Sequence, residues 1–493
     1  MIAGVIGASN EAIHTIEEAK KQGVRVIAFD GNPDAEGLSV DDKAVVVDIT
    51  NEEATIEAVR QEKVDFLLTA PIGRYLTTTG AVNDALHLPG ITKRMAQVCT
   101  DKYLFHQTLK ASGLRNINCY ATDADVINAE IICADRIGAD ITDAKSIDSQ
   151  RANTQRATTQ SANTQIVNSQ SATTQSANTE RSVADRFDTE SGAQNKIAIY
   201  DRIIDNNDIE ACKAENEALA KSIISGERKL QYPAILKPRY GSGSRGIHIV
   251  STNQDLLYAL REVAGESYVI EECLDGEEYG VDAAVIDGQT TIVLLRHKKN
   301  TPLPNRQAVA YHSVSRSEKV YTIIEDYVRK AVACAGLDEC LLHADVLMTK
   351  TGPFMIEMSA RPSGHNLHNL FTPLCTGVDM AAEYIKHRLG RPFSFVPNDI
   401  KTMMIHYFDY TGVVVKVPSH AKLGVLLWKC GGHAMWTKSQ IKLIDWKCKL
   451  RFGDTLHAIT DGHSIMDRGY YILEGDNEQQ LEDCARSIRG LFF

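Results

Sequence analysis

The chain has 493 residues, 43% apolar and 24% charged, so at about 150 residues per domain it holds roughly three domains, each able to bury its own core. No apolar run approaches the ~18 to 20 residues that cross a bilayer, and the opening Met1-Ile2-Ala3-Gly4-Val5-Ile6-Gly7 lacks a basic leader, so neither a membrane span nor a secretory signal is read here and a cytoplasmic location is expected. Acidic residues outnumber basic ones by 64 to 53, for a net charge of -11, which argues against nucleic acid as a partner and requires any phosphate ligand to meet local cations.

Residues 2–7 form a short apolar run ending in Gly7-Ala8-Ser9-Asn10, after which Ala12, Ile13, Ile16 and Ala19 recur at helical spacing up to Gly23. Strands are predicted at 24–29, 45–47 and 64–68, with a helix over 52–61 before the last of them. That alternation implies a parallel, doubly wound sheet. Asp30 closes the second strand where dinucleotide-binding folds place a ribose ligand, but Gly4 and Gly7 do not make a G-x-G-x-x-G, so a nicotinamide site is the weaker alternative.

From 126 to 195 the composition turns to Asn, Thr, Gln, Ser and Ala, with the pentads RANTQ, RATTQ, SANTQ, IVNSQ, SATTQ and SANTE in tandem. A pentapeptide solenoid needs a Leu or Phe at the centre of each coil, and Thr or Ser stands there. A disordered surface insertion is the expectation, because such a segment cannot bury enough apolar area to offset its conformational entropy. A helix follows over 209–225, then a strand at 232–237.

Lys237 ends that strand and leads into Pro238-Arg239-Tyr240-Gly241-Ser242-Gly243-Ser244-Arg245-Gly246 before the next strand, 247–250. Small residues let backbone N–H groups close over phosphate oxygens while the lysine supplies a point charge, although a mobile hairpin is an equal reading of the loop alone. The run 267–274 is apolar and ends in Glu271-Glu272-Cys273-Leu274. Backbone groups around Glu272 to Leu274 suit an adenine edge and Glu278 suits ribose hydroxyls, with solvated turn carboxylates as the alternative. His343 to Met348 and Pro353 to Ser359 read as paired strands, whose alternation lets Asp345 and Glu357 converge. Two carboxylates in apolar strands need a cationic compensator, and magnesium bridging ATP phosphates is the natural one, with a structural ion pair as the alternative. Arg361 adds a planar fork suited to phosphate or carboxylate. The 11 cysteines are odd in number and contain no CxxC, which favours reduced thiols.

Taken together, Thr100-Asp101-Lys102 opening a helix, YPAILKPRYGSGSRGIHIV at 232–250, YVIEECLDGEEYGVD at 268–282, HADVLM at 343–348 and MIEMSARPSG at 355–364 resemble the ATP-grasp superfamily of carboxylate-amine ligases. Biotin carboxylase and carbamoyl phosphate synthetase show similar runs, and the Ala-Arg-Pro-Ser-Gly ending is similar to amino-acid ligases. The resemblance implies an α/β and α+β architecture: a Rossmann-like domain at 1–92, an ATP-grasp domain at 93–125 and 196–395 interrupted by the insertion, and a β-rich subdomain at 396–493. It makes Lys102 and Lys237 phosphate ligands, the loop with Gly241, Ser242, Gly243, Ser244 and Gly246 a lid, and Glu271, Glu272, Cys273 and Leu274 the adenine hinge. Glu278 becomes the ribose ligand, Asp345, Glu357 and Ser359 the ligands of magnesium or manganese, and Arg361 the residue facing an acyl phosphate. Arg296 and His312 are further candidates for substrate contact. Many relatives carry Asn where this chain has Ser359, so a second ion is expected to be held less tightly. The implied reaction couples a small carboxylate, an amino acid being one candidate, to an amine with release of ADP and phosphate. A catalytically degenerate ATP-binding scaffold and a carbamoyl-phosphate-synthetase-like enzyme are the alternatives, and both monomer and homodimer remain open.

Overall fold

Strand β1 (Ile2–Ile6) is buried along nearly its whole length, as its apolar run requires. A Cβ at Gly4 would lie 2.6 Å from Leu67 Cδ2, so glycine here leaves room for the Leu67 side chain. Helix α1 (Ile13–Lys21) turns Ile16 and Ala19 inward; β2 (Arg25–Asp30), β3 (Lys43–Val46), α2 (Glu52–Glu62) and β4 (Phe66–Leu68) follow. The four strands form a parallel sheet of order β3-β2-β1-β4, and Asn51 caps α2 by accepting the Ala54 N–H at 3.0 Å. Helices α3 (Leu76–Leu86), α4 (Lys93–Thr100) and α5 (Lys102–Ala111) lead to β5 (Cys119–Ala121).

The computed structural model describes residues 1–71, 73, 75–122, 197–199, 202–204, 206–241, 245–303, 306–419, 422–424, 426, 441–460 and 462–493. The insertion expected at 126–195 and the loop residues Ser242, Gly243 and Ser244 lie outside them. The chain divides into two units, one of residues 1–122, 217–263 and 267–493, the other of 123–216 and 264–266. In the second, β6 (Ile197–Ile199) and β7 (Arg202–Ile204) pair antiparallel.

In the first unit, β8 (Ala234–Pro238), β9 (His248–Val250) and β10 (Tyr268–Glu272) join β5 in an antiparallel sheet of order β5-β10-β8-β9. A larger, eight-stranded sheet is built from β11 (Glu277–Ile286), β12 (Gln289–Asn300), β13 (Ala308–Ser313), β14 (Cys340–Thr349) and β15 (Gly352–Ser359), and it continues through β16 (Met403–Tyr407). β17 (Gly412–Val413) and β19 (Thr455–Leu456) form a separate two-stranded sheet, and β18 (Lys442–Cys448) and β20 (Gly469–Glu474) complete the order β15-β14-β11-β12-β13-β16-β20-β18. The 396–493 segment therefore extends the central sheet through the β13–β16 pairing.

One face of this sheet is closed by α6 (Lys319–Ala335), which buries Tyr321, Ile324, Tyr327, Val328 and Val332 against Val281, Ala283, Leu342, Ala344 and Val346. Side chains alternate along a strand, so the residues between these point to the opposite face. They are Glu278 and Asp282 on β11, Arg296 and Lys298 on β12, His343 and Asp345 on β14, and Glu357 and Ser359 on β15. Among the described residues no helix is long and apolar enough to cross a membrane.

Candidate active site

The hairpin of β14 and β15 pairs Asp345 directly with Glu357 and His343 with Ser359. Ligand atoms of His343, Asp345 and Glu357 lie within 4.8 Å of one another. Asp345 Oδ2 accepts from Lys298 Nζ at 2.7 Å, whereas its Oδ1 is buried without a hydrogen-bond partner. Burial pushes the Asp345 carboxyl up, but Lys298 outweighs it and holds the group below its ordinary value. An orphaned buried carboxylate oxygen beside a second carboxylate and an imidazole fits a hard divalent cation.

A cleft beside this cluster is lined by Thr100, Lys102, Gly241, Glu357, Ser359 and Arg361. Asp101 places Lys102 there: it caps α5 by accepting the N–H groups of Tyr103 and Leu104 at 2.9 and 3.1 Å and binds Arg239 through two nitrogens at 2.8 and 2.7 Å. The root of the glycine loop is thereby tied to the helix start, and Lys102 Nζ donates to the Gly241 carbonyl at 2.7 Å. Burial, together with the charge of Lys237, pulls the Lys102 ammonium down to about 8. Arg361 donates to the Pro362 carbonyl at 2.8 Å and, among the described residues, has no ion-pair partner. Burial pulls its guanidinium below its ordinary value. Gly73 also lines the cleft, which Cys99 borders; burial pushes the Cys99 thiol up to about 12, so it is no thiolate nucleophile at neutral pH.

Several expected ligands are otherwise engaged. Lys237 pairs with Glu271 across β8 and β10, where Lys237 faces Val269 and Ile235 faces Glu271, a same-face diagonal. Arg115 holds the other Glu271 oxygen at 2.6 Å, its guanidinium stacked 4.6 Å from the Phe354 ring centroid. Two cations hold Glu271 down at about 2 despite its burial. The Glu271 carboxylate thus anchors Lys237. Glu272 accepts from Asn118 Nδ2 at 2.7 Å, and the Cys273 N–H is taken by the Pro233 carbonyl at 2.9 Å, so neither of these groups is free for an adenine edge. Leu274 follows them, half-buried. Glu278 is paired with Arg306 and lies 3.5 Å from Lys298, so a ribose would have to compete with two cations.

Arg296 is the clearest correction. It and Asp282 are both 0% exposed, joined through both terminal nitrogens, one at 2.8 Å, with Thr372 Oγ1 completing the set. A guanidinium so enclosed cannot touch a substrate. His312 likewise binds Glu482 at 2.9 Å, tying the sheet to α8 (Glu478–Arg489), and is buried away from the cleft. Asp30 accepts the N–H groups of Ala8 and Asn32 at 2.6 and 2.9 Å, so it organises its own loop rather than awaiting a ribose.

Sequence reasoning missed His343, Lys298, Arg306 and Arg115. Two of these were signalled: Lys298 follows Arg296 by two and so shares its strand face, and His343 precedes Asp345 by two.

Residues 230–368 match the sequence family described as ATP-grasp domain. The chain carries an ATP-grasp domain. It is 25% identical to the carbamoyl phosphate synthase large chain of Lachnoclostridium phytofermentans over 186 residues, 35% of this chain and 17% of that one. It is 31% identical to D-alanine–D-alanine ligase of Bacillus anthracis over 143 residues, 27% of this chain and 45% of that one. The chain thus spans less than half the length of either curated relative. Its fold is that of the L-amino acid ligase from Bacillus licheniformis, with a TM-score of 0.64 at 16% identity over 99% of this chain and 97% of the other. Biotin carboxylase from Campylobacter jejuni superimposes with a TM-score of 0.53 at 14% identity over 100% and 91%.

Proposed function

We propose that the protein is an ATP-dependent ligase that activates a small carboxylate, an amino acid being the favoured class, as an acyl phosphate and joins it to an amine. The observation that carries this reading is the buried Asp345 Oδ1, without a hydrogen-bond partner and 3.7 Å from His343 Nε2, beside Glu357, with Lys102 and Arg361 in the cleft that Glu357 borders. Asp345, Glu357 and Ser359, joined by His343, would hold magnesium or manganese, which supplies charge neutralisation to a transferring phosphoryl group. Lys102, Lys298 and Arg361 are fixed cations able to bind ATP phosphates and the activated carboxylate. Lys237 is held by Glu271 on the strand leading to the glycine loop.

In the proposed sequence a carboxylate oxygen of the substrate attacks the γ-phosphorus, the new O–P bond forms as the bond to ADP breaks, and the amine then attacks the acyl carbon. Phosphate leaves and the amine gives up a proton. Arg361 stabilises charge on the acyl phosphate, and the cleft walls exclude the water that would hydrolyse it.

A screen of paired amino acids and small carboxylates for ADP release identifies the substrate. With that carboxylate, ATP and magnesium but no amine, hydroxylamine is expected to yield the hydroxamate together with ADP and phosphate. AMP and pyrophosphate would instead mean adenylation and end this proposal.

Lys102 gives the site a pH signature. Its ammonium titrates at about 8, so it is charged below that value and loses its charge above it. The dissociation constant of a nonhydrolysable ATP analogue is expected to rise between pH 7 and 9.5, by about tenfold if one phosphate contact is lost. Lys102→Met should bind weakly throughout and without that step; a wild-type profile flat across pH 8 would remove Lys102 from nucleotide binding.

A further inference from the structure

A second cluster of metal-ligating groups lies outside the cleft, where α1 meets α7 (Met380–Arg388). His14 and Glu18 are four residues apart on α1 and so share one helix face. Asp379 caps α7, its Oδ1 accepting the Ala382 N–H at 3.0 Å, which leaves Oδ2 to face His14 Nε2 at 2.9 Å. Ligand atoms of His14, Glu18 and Asp379 all lie within 4.8 Å of one another. Behind them stands His368, 0% exposed, its ring centroid 5.9 Å from that of His14. Its Nδ1 bonds the Ser363 carbonyl, while its Nε2 has no partner.

We propose that His14, Glu18 and Asp379, with His368 as the adjoining imidazole, form a binding site for a divalent transition metal of the zinc class, separate from the Asp345–Glu357 cluster. Charge and donor type both favour this. Two carboxylates and a neutral imidazole exactly offset a dication, apart from Lys21, which pairs with Glu18 at 2.6 Å from an exposed position and is free to swing into solvent. With His368 adjoining His14 this cluster offers two imidazoles where the Asp345–Glu357 cluster offers one, and added imidazole nitrogen favours zinc-like ions over magnesium, which prefers oxygen and water. Zinc bonds of about 2.0 to 2.2 Å require the three ligand atoms to close in by about 1 Å, a side-chain adjustment on a half-exposed surface. The unpartnered Nε2 of His368 is a buried nitrogen that a metal or its bound water would satisfy.

The site would have a mechanical consequence. Glu11, just ahead of α1, accepts the His365 N–H at 2.9 Å, and His368 lies on the same segment that follows Arg361. A metal at His14 would therefore fasten the N-terminal parallel layer to the segment that carries the cleft arginine.

The test uses the full chain, stripped with chelator and kept in excess magnesium so that the Asp345–Glu357 cluster is occupied. Titration with Co2+ is expected to show one equivalent bound, with the visible bands of a low-symmetry site, displaced by Zn2+, and with a raised thermal midpoint. Glu18→Gln and His14→Asn should each weaken binding by more than about tenfold, with circular dichroism reporting the fold. Should His14→Asn unfold, Glu18→Gln, on the rim of the site, decides alone. Glu357→Gln should bind Co2+ as the wild type does, which separates this site from the proposed ligase chemistry. Absence of binding, unchanged affinity in Glu18→Gln, or loss of the signal in Glu357→Gln would each overturn the proposal.

Discussion

Glu357→Gln is expected to lower ATP-dependent product formation by about a thousandfold or more, since it removes one of the two carboxylates of a phosphoryl-transfer site whose catalysis is largely charge placement. Glu357 stands directly across β14–β15 from Asp345, where two like charges repel. Removing one relieves that repulsion, so the thermal midpoint should hold or rise even as activity is lost. This opposition of signs is the diagnostic feature. ADP release under saturating ATP and the identified substrate measures the first quantity and calorimetry the second. Wild-type turnover in a folded Glu357→Gln protein would remove the cluster from the proposed mechanism.

Asp282→Ala should have the largest effect on stability. It leaves the Arg296 guanidinium fully buried with only Thr372 for a partner, and breaking a buried pair from one side costs about 3 to 5 kcal/mol. Urea unfolding measures this as a fall in midpoint. Replacing both partners, as in Asp282→Leu with Arg296→Met, should recover most of the loss, because no buried charge is then stranded. The pH dependence follows from the same pair. Arg296 holds the Asp282 carboxyl far below the usual range, so its contribution is complete above an unfolded-state value of about 4 and is lost progressively as pH falls below that. A wild-type unfolding midpoint for Asp282→Ala at pH 7 would show that the pair is not the structural element its geometry makes it.

These two predictions separate residues that the sequence groups together. Arg296 and Arg361 are both arginines near carboxylate motifs, and both were expected to contact substrate. One is sealed against Asp282 and the other lines the cleft without an ion-pair partner among the described residues. Nothing within a few residues of either distinguishes them, because the difference lies in which strands are neighbours. Asp282 is on β11 and Arg296 on β12, joined by a hairpin, whereas Arg361 follows β15 at the sheet edge.

What the amino-acid order determined by itself was local and periodic. The apolar runs and their helical intervals marked β1, β2 and β4 and the helices between them, because parallel strands buried on both faces are continuous hydrophobic segments. Alternation along 343–348 and 353–359 placed Asp345 and Glu357 on one face of a hairpin, since side-chain direction in a strand repeats every two residues. Only the tertiary structure decided which partners those side chains met. Lys298 reaches Asp345 from β12, with β11 lying between their strands, Arg115 reaches Glu271 from a segment 156 residues away, and Glu278 receives both Lys298 and Arg306. Strand order and register are set by packing across the whole sheet, and a charged residue's role depends on whether that packing leaves it a protein partner or an opening to the cleft.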